Sequence, residues 1–240
     1  MIKQTDDIEI LKSFPAADLF TVRINALAAA YGFSYDFARF YAQSDENGDL
    51  TAIISYLDND ATLAFLPEAD FSELSSFFNT IGYTSLLCKE GFEFDADYND
   101  GVIMRSVKYF DVAPGMGVFD EYPKMMDLFN FIDYDKQDFE SWYVDLSHRI
   151  RHGTAKAVAL TVEGEIVSSG IFSSITDDGA VLTSVNTKAA FRRMGYGSAL
   201  VKKMTADIGR IVFLMREKDR NEEFYIKSGF INDGIWRMYK

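Results

Sequence analysis

The residues best suited to chemistry run from 185 to 200: Val185-Asn186-Thr187-Lys188-Ala189-Ala190-Phe191-Arg192-Arg193-Met194-Gly195-Tyr196-Gly197-Ser198-Ala199-Leu200. An apolar run ends, basic residues follow, and a Gly-x-Gly pair opens a run of helix formers. Glycines let a backbone curl until successive N–H groups converge on one point. Such a nest, together with a helix N-terminus, is a phosphate site. Arg192 and Arg193 add countercharge and bidentate hydrogen bonds. There is no Gly-Lys-Ser/Thr for a P-loop and no Gly-x-Gly-x-x-Gly for a dinucleotide fingerprint. A second stretch, Asn221-Glu222-Glu223-Phe224-Tyr225-Ile226-Lys227-Ser228-Gly229-Phe230, offers an amide and a phenol at a helix start. Asn221 there also suits an N-cap, and a helical tyrosine also suits a core.

Charge supports a compact anionic ligand. The chain of 240 residues carries a net −13. Residues 1–120 hold 20 acids and 7 bases, and residues 121–240 hold 17 of each. Between 188 and 220, nine bases face three acids, a local +6 in an acidic protein. A solvated basic helix face explains that segment as well. The acidic remainder opposes extended nucleic acid, whose binding needs many phosphate contacts. No apolar run approaches the ~18 residues of a spanning helix, and the N-terminus lacks the form of a signal peptide. With the single Cys88 unable to form an internal disulfide, this predicts a cytoplasmic protein. No His/Cys/carboxylate cluster has metal-ligand spacing.

The elements that must hold these residues read as a mixed α/β sheet. In the first half the pattern predicts helices over 6–13 and 16–31, strands over 40–43, 51–57 and 62–66, a helix over 70–79, and strands over 83–88 and 102–110. The turn-rich Pro114-Gly115-Met116-Gly117 marks a boundary. The second half predicts helices over 122–131, with Pro123 in the first turn, and 136–151, capped by Asp135 and stopped at Gly153. Strands follow over 156–162, 166–174 and 180–186, then the glycine loop, a helix to 208, a strand over 211–216, a helix over 221–228 and a strand over 235–239. Asx- and Gly-rich turns recur: Gly48 and Gly164, then 58–61 and 177–180. Gly-Phe leading to Asn-Asp-Gly occurs at 91–101 and again at 229–234. The period of roughly 115–140 residues predicts two copies of one domain, 1–110 and 111–240.

The segment from 192 to 197 resembles the pyrophosphate loop of the GNAT superfamily of N-acetyltransferases, Arg/Gln-x-x-Gly-x-Gly/Ala. The stretch 221–230 resembles the family's Asn, Tyr and Gly-Phe motif, in the right order; the close resemblance spans about 156–240. It implies that acetyl-CoA is the acyl donor. Backbone amides of Arg193, Met194, Gly195, Tyr196, Gly197 and Ser198 would cradle the pyrophosphate, with Arg192 beside them. The strand end at Ser184 and Val185 would pair with the pantetheine arm and present an amide to the thioester oxygen. Asn221 would contact the cofactor, and Tyr225 would protonate the departing thiolate. Phe224, Phe230 and Trp236 read as packing residues.

The fourth-strand glutamate that some members of the family use has no counterpart in Leu182-Thr183-Ser184-Val185. Glu163, Glu165, Asp177 and Asp178 read as solvated turn residues, so proton loss through water is as good a reading as one carboxylate. His148 and His152 read as helix C-terminal charges, Cys88 as buried, and Trp142 and Tyr143 as core or acceptor wall. The first half lacks the Gly-x-Gly, the bases and the Asn-x-x-x-Tyr helix, so it reads as a degenerate copy that helps form the acceptor site. Its acidity favours a cationic small-molecule or peptide amine. Two other functions remain: a non-catalytic acyl-CoA-binding module, and a tRNA-dependent amino-acid ligase, which the charge opposes. The acceptor, acyl length and oligomeric state are left open.

Overall fold

The computed structural model describes residues 1–110, 115–132 and 138–240. In chain order the first half comprises β1 (Ile2–Thr5), α1 (Ile8–Lys12), α2 (Leu19–Tyr31), β2 (Ala38–Ser44), β3 (Leu50–Leu57), β4 (Asp60–Phe65), α3 (Phe71–Ile81), β5 (Ser85–Lys89) and β6 (Tyr98–Ser106). The second half comprises β7 (Val118–Asp120), α4 (Met125–Ile132), α5 (Phe139–Arg151), β8 (Lys156–Val162), β9 (Glu165–Ile175), β10 (Ala180–Thr187), α6 (Tyr196–Ile208), β11 (Val212–Arg216), α7 (Glu222–Lys227) and β12 (Phe230–Tyr239). These strands form one mixed sheet, in the order β1-β2-β3-β4-β5-β12-β6-β11-β10-β9-β8-β7.

Hairpins dominate this sheet because Gly or Asx residues supply the turns: Gly48 and Gly164 have positive φ, as do Asp58, Asn59 and Glu163. Two neighbouring pairs are parallel, β4–β5 and β10–β11. Each is joined by a helix, α3 or α6, as a parallel crossover requires. The order therefore mirrors itself about the central β12–β6 pair, with one exchange. The last strand of the second half lies between β5 and β6 of the first, and β6 lies against β11 of the second.

Helix α2 ties the halves together. Asp18 caps it by accepting from the Thr21 amide at 2.9 Å, and Gly32, at φ 61, ends it. It is apolar on nearly all sides, as a fully buried helix should be. It packs on β3 and β4 and also on β9 and β10, so Val181 and Phe213 of the second half share its core. Burying Leu19, Phe20 and Ile24 contributes about 1.5–3 kcal/mol each.

Several boundaries differ from the sequence reading. Helix α2 begins at Leu19 rather than 16, since Asp18 is the cap. Strands β1 and β7 were not expected; they have four and three residues, too few to show alternation. Strand β6 starts at Tyr98 and β12 at Phe230, so both Asn-Asp-Gly sequences lie inside strands. The second absorbs its glycine in a bulge between Asn232 and Gly234. Pro123 precedes α4 instead of occupying its first turn. Asp135 and Pro114 lie outside the described residues. The cap of α5 is Asp138, which accepts from the Ser141 amide at 3.1 Å. No described helix is long and apolar enough to cross a membrane.

Candidate active site

Strands β10 and β11 run together for only three residue pairs, from Ala180 opposite Val212 to Leu182 opposite Leu214. Beyond Leu182 they separate and open a notch at the C-terminal end of a parallel pair, where α/β sheets characteristically bind ligands. On its other side β10 also breaks register. Thr183 faces Ile171 and Asn186 faces Ser169, so three steps on β10 match two on β9. Ser184, at φ 52, is the kink of this bulge. A bulge re-aims backbone groups at such a position, and here it turns the Ser184–Val185 segment at the edge of the notch.

The chain leaves β10 through a short 3-10 turn (Ala189–Phe191) and enters the basic loop. Arg193 has φ 65 and Gly195 φ 91, both left-handed. Positive-φ residues curl a backbone so that amides can converge on an anion. Gly195 occupies the N-cap position of α6, and no side chain makes a capping hydrogen bond there. Arg192, Arg193, Met194 and Gly195 are exposed. Arg192 donates to the Thr187 carbonyl at 3.0 Å, and neither Arg192 nor Arg193 pairs with a carboxylate among the described residues. The left-handed Arg193 costs on the order of 1–2 kcal/mol, a strain found where backbone geometry is used.

Gly197 is required by packing. A Cβ there would lie 2.7 Å from Thr187 Oγ1 and 3.5 Å from the Phe224 ring. Its absence lets the start of α6 touch both the end of β10 and α7. Ser198 Oγ and Ser228 Oγ, 3.5 Å apart, add a polar contact between the same helices. The loop, the bulge strand and α7 thus converge. On α7, Tyr225 is 9% exposed and its ring packs edge-on to Phe224 and Phe230. Burial pushes its phenol up to about 12, so it holds its proton throughout the neutral range. Asn221 stands at the N-cap position with φ 61 and makes no capping hydrogen bond through its side chain. Its carbonyl accepts from the Tyr225 amide at 3.1 Å. The cap role read from sequence is therefore met by position only, and Asn221 is exposed.

The mirror-related place in the first half is closed. Helix α3 follows β4 as α6 follows β10, yet Asp70 caps α3 by accepting from the Glu73 amide at 2.9 Å. The Glu73 carboxylate accepts from the Ile2 amide and from Gln43. Two carboxylates stand where an anion would have to sit.

Residues 130–236 match a family model described as an acetyltransferase (GNAT) domain. No curated protein matches the sequence. Among solved structures, the chain is similar to a GCN5-related N-acetyltransferase from Kribbella flavida, with 14% identity over 95% of this chain and 96% of that one, at a TM-score of 0.61. It is similar to a Drosophila protein at 12% identity, covering 100% of this chain and 98% of that one, with a TM-score of 0.65. It is also similar to a tandem GNAT protein from the clavulanic acid biosynthesis pathway, at 11% identity, 100% and 97% coverage and a TM-score of 0.59. The fold is that of the GNAT acetyltransferases.

Within this GNAT fold, the ten positions read from sequence, from Ser184 to Asn221, lie on the bulge and end of β10, the basic loop with the start of α6, and the N-cap of α7. The turn carboxylates lie elsewhere: Glu165 pairs with Lys188 and Asp177 with Arg210. His148 Nε2 lies 2.8 Å from the Ala30 carbonyl, and its ring stacks on Tyr31 at 4.9 Å, a packing arrangement between α5 and α2. Cys88 is fully buried, and burial pushes its thiol up to about 12. Trp142 lines a cavity of about 610 Å³ that reaches Thr183 and Ser184. Tyr143 is 44% exposed and stacks on Phe139. The sequence reading missed four carboxylates of that cavity, Asp58 and Asp60 at the β3–β4 turn and Asp138 and Asp145 on α5. Asp58 and Asp60 read as ordinary turn residues, and only tertiary packing brings them to the bulge.

Proposed function

We propose that the protein transfers an acetyl group from acetyl-CoA to a primary amine by direct attack in a ternary complex. The observation that carries this is the uncapped, strained, basic turn at 192–198 beside a bulged strand at the opening of a parallel pair. The amides of 193–198 would bind the pyrophosphate, with Arg192 and Arg193 supplying charge. The Ser184–Val185 edge would hold the pantetheine arm and aim an amide at the thioester oxygen. The amine nitrogen attacks the carbonyl carbon, the C–N bond forms and the C–S bond breaks. Tyr225 gives its proton to the leaving sulfur, the amine loses a proton to solvent, and the tyrosinate takes one back from solvent to complete the cycle. Asn221 would contact the donor from the rim.

On this reading the first half is a degenerate copy of the same domain. The mirrored strand order supports it, and the carboxylates at the start of α3 account for the loss of donor binding. The test is release of free thiol from acetyl-CoA in the presence of a panel of primary amines. Turnover that falls at least tenfold in Tyr225→Phe supports the assignment. Absence of release with every amine, despite tight donor binding, would convert the protein into an acyl-CoA-binding module.

A further inference from the structure

A second hollow of about 700 Å³ adjoins the one that ends at Ser184; they share Asp58, Asp60, Ser141, Asp145 and Arg149. Together they form one cleft between the halves, walled by the β3–β4 turn of the first and by α5 of the second. Each part is within the size of a small-molecule site.

The charges are unbalanced. Five carboxylates line the cleft (Asp58, Asp60, Asp138, Glu140, Asp145) against three guanidinium groups (Arg23, Arg149, Arg151). Arg149 is committed to Asp145 and donates to the Ser173 carbonyl at 3.0 Å. Arg23 donates from Nε to Thr62 Oγ1 at 3.0 Å. The carboxylates of Asp58, Asp60, Asp138 and Glu140 form no salt bridge among the described residues. All four are exposed, so they give the cleft a solvated negative rim that attracts a cation.

The other walls favour an organic cation over a metal. Tyr31, Tyr35 and Phe37 line the far end, with Tyr31 edge-on to both other rings, 6.4 and 5.5 Å away. Aromatic faces attract alkylammonium groups. Tyr31 donates its hydroxyl to Asp145, which ties this wall to the carboxylates. On the floor, Ser55 is 1% exposed, lines the hollow, and has no hydrogen-bond partner for its hydroxyl. Native structures rarely leave such a buried group unmet; its oxygen is closed off at the floor, and a small shift there would let an ammonium N–H in the cleft reach it.

We infer that this cleft is the acceptor site and that it takes an extended aliphatic amine with at least two cationic nitrogens. One nitrogen is held among the rings, Ser55, Asp58 and Asp60, and the other is delivered past Asp138 to the bulge at Ser184. The first half thereby supplies substrate recognition to the chemistry of the second. This rests on the acetyl-transfer reading for the word acceptor, but the binding itself does not.

Calorimetric titration of spermidine and of 1-aminobutane into the full chain, without acyl donor and at low salt, tests it. Spermidine should bind at least tenfold more tightly, and Asp58→Asn/Asp60→Asn should erase that preference. Glu140→Gln, in the exposed first turn of α5, should weaken spermidine about threefold without touching the core. Equal affinities for the two amines, no heat from spermidine, or a preference intact in the folded double variant would overturn the inference. Should the double variant fail to fold, unchanged spermidine affinity in Glu140→Gln would overturn it instead. Acetyl-CoA titrated separately distinguishes the two claims: spermidine binding without donor binding would sink the transfer reaction and leave the amine cleft standing.

Discussion

Replacing Gly195 with Ala puts a known strain at the centre of the 192–198 loop, where the proposed function places the donor pyrophosphate. Gly195 has φ 91, and a Cβ there meets only the flexible end of Met116, at 3.3 Å. The cost is therefore conformational, on the order of 1–2 kcal/mol for an L-residue held left-handed. If the loop keeps its shape, that cost appears as lost stability, and the melting temperature falls by about 2–4 °C per kcal/mol for a chain of this size. If the loop relaxes instead, its amides turn away. Each hydrogen bond to a charged phosphate contributes about 1.5–3 kcal/mol. Loss of one would weaken acetyl-CoA binding about tenfold to a hundredfold, since 1.4 kcal/mol is a decade. Gly209 supplies the control. It ends α6 at φ 61 with nothing within 4 Å of an added Cβ, so Gly209→Ala carries similar strain at the far end of the same helix. Calorimetry should show weakened acetyl-CoA binding for Gly195→Ala and a wild-type Kd for Gly209→Ala, with comparable melting shifts. An unchanged Kd for Gly195→Ala without the fall in melting temperature that a retained loop shape costs would refute the placement of the pyrophosphate on this loop.

Tyr225→Phe should leave acetyl-CoA affinity unchanged and lower kcat about a hundredfold to ten-thousandfold. Because burial holds the phenol at about 12, the wild-type kcat should show no alkaline fall attributable to it below pH 11; a fall near the ordinary phenol value would count against Tyr225 as the acid. Cys88 should resist a thiol reagent in the native protein and react fully in denaturant. Its raised thiol pKa of about 12, against 9.0 unperturbed, adds stability that is fully present below pH 9 and is lost as pH rises toward 12, measurable as a fall in denaturant midpoint. Phe92→Ala empties a fully buried site among Phe65, Phe71 and Phe94, and should cost about 3–5 kcal/mol in urea unfolding.

What could be read from the chain was what is local. The positive φ angles at Gly48, Gly164 and Gly195 and the convergence around 192–198 follow from residue type over a few positions. The Tyr225 helix could be placed for the same reason. Pairings between distant segments could not be read. Alternation marks residues 235–239 as a strand but does not say that it lies between β5 and β6. Asn99-Asp100-Gly101 looks like a turn, yet Gly101 is there because a Cβ would lie 2.6 Å from the Trp236 ring and 2.3 Å from the Arg216 carbonyl. Asp58 and Asp145 show only polarity in sequence; the meeting of their elements across 87 residues is a property of the packed core.

The placement of β12 also governs when the molecule can finish folding as it is made. Its Trp236 to Tyr239 segment pairs with Lys89 to Leu86, and Tyr239 is fully enclosed, donating its hydroxyl to the Phe92 carbonyl. Synthesis at roughly 5–20 residues per second puts on the order of ten to thirty seconds between β5 leaving the ribosome and the arrival of its partner. Throughout that interval β5 has an open edge, the kind of template on which chains aggregate. The aromatic cluster around Phe92 waits beside it without Tyr239. Stalled or prematurely terminated chains would carry this exposed edge permanently, so quality control, rather than catalysis, is where loss of residues 230–239 would first be felt.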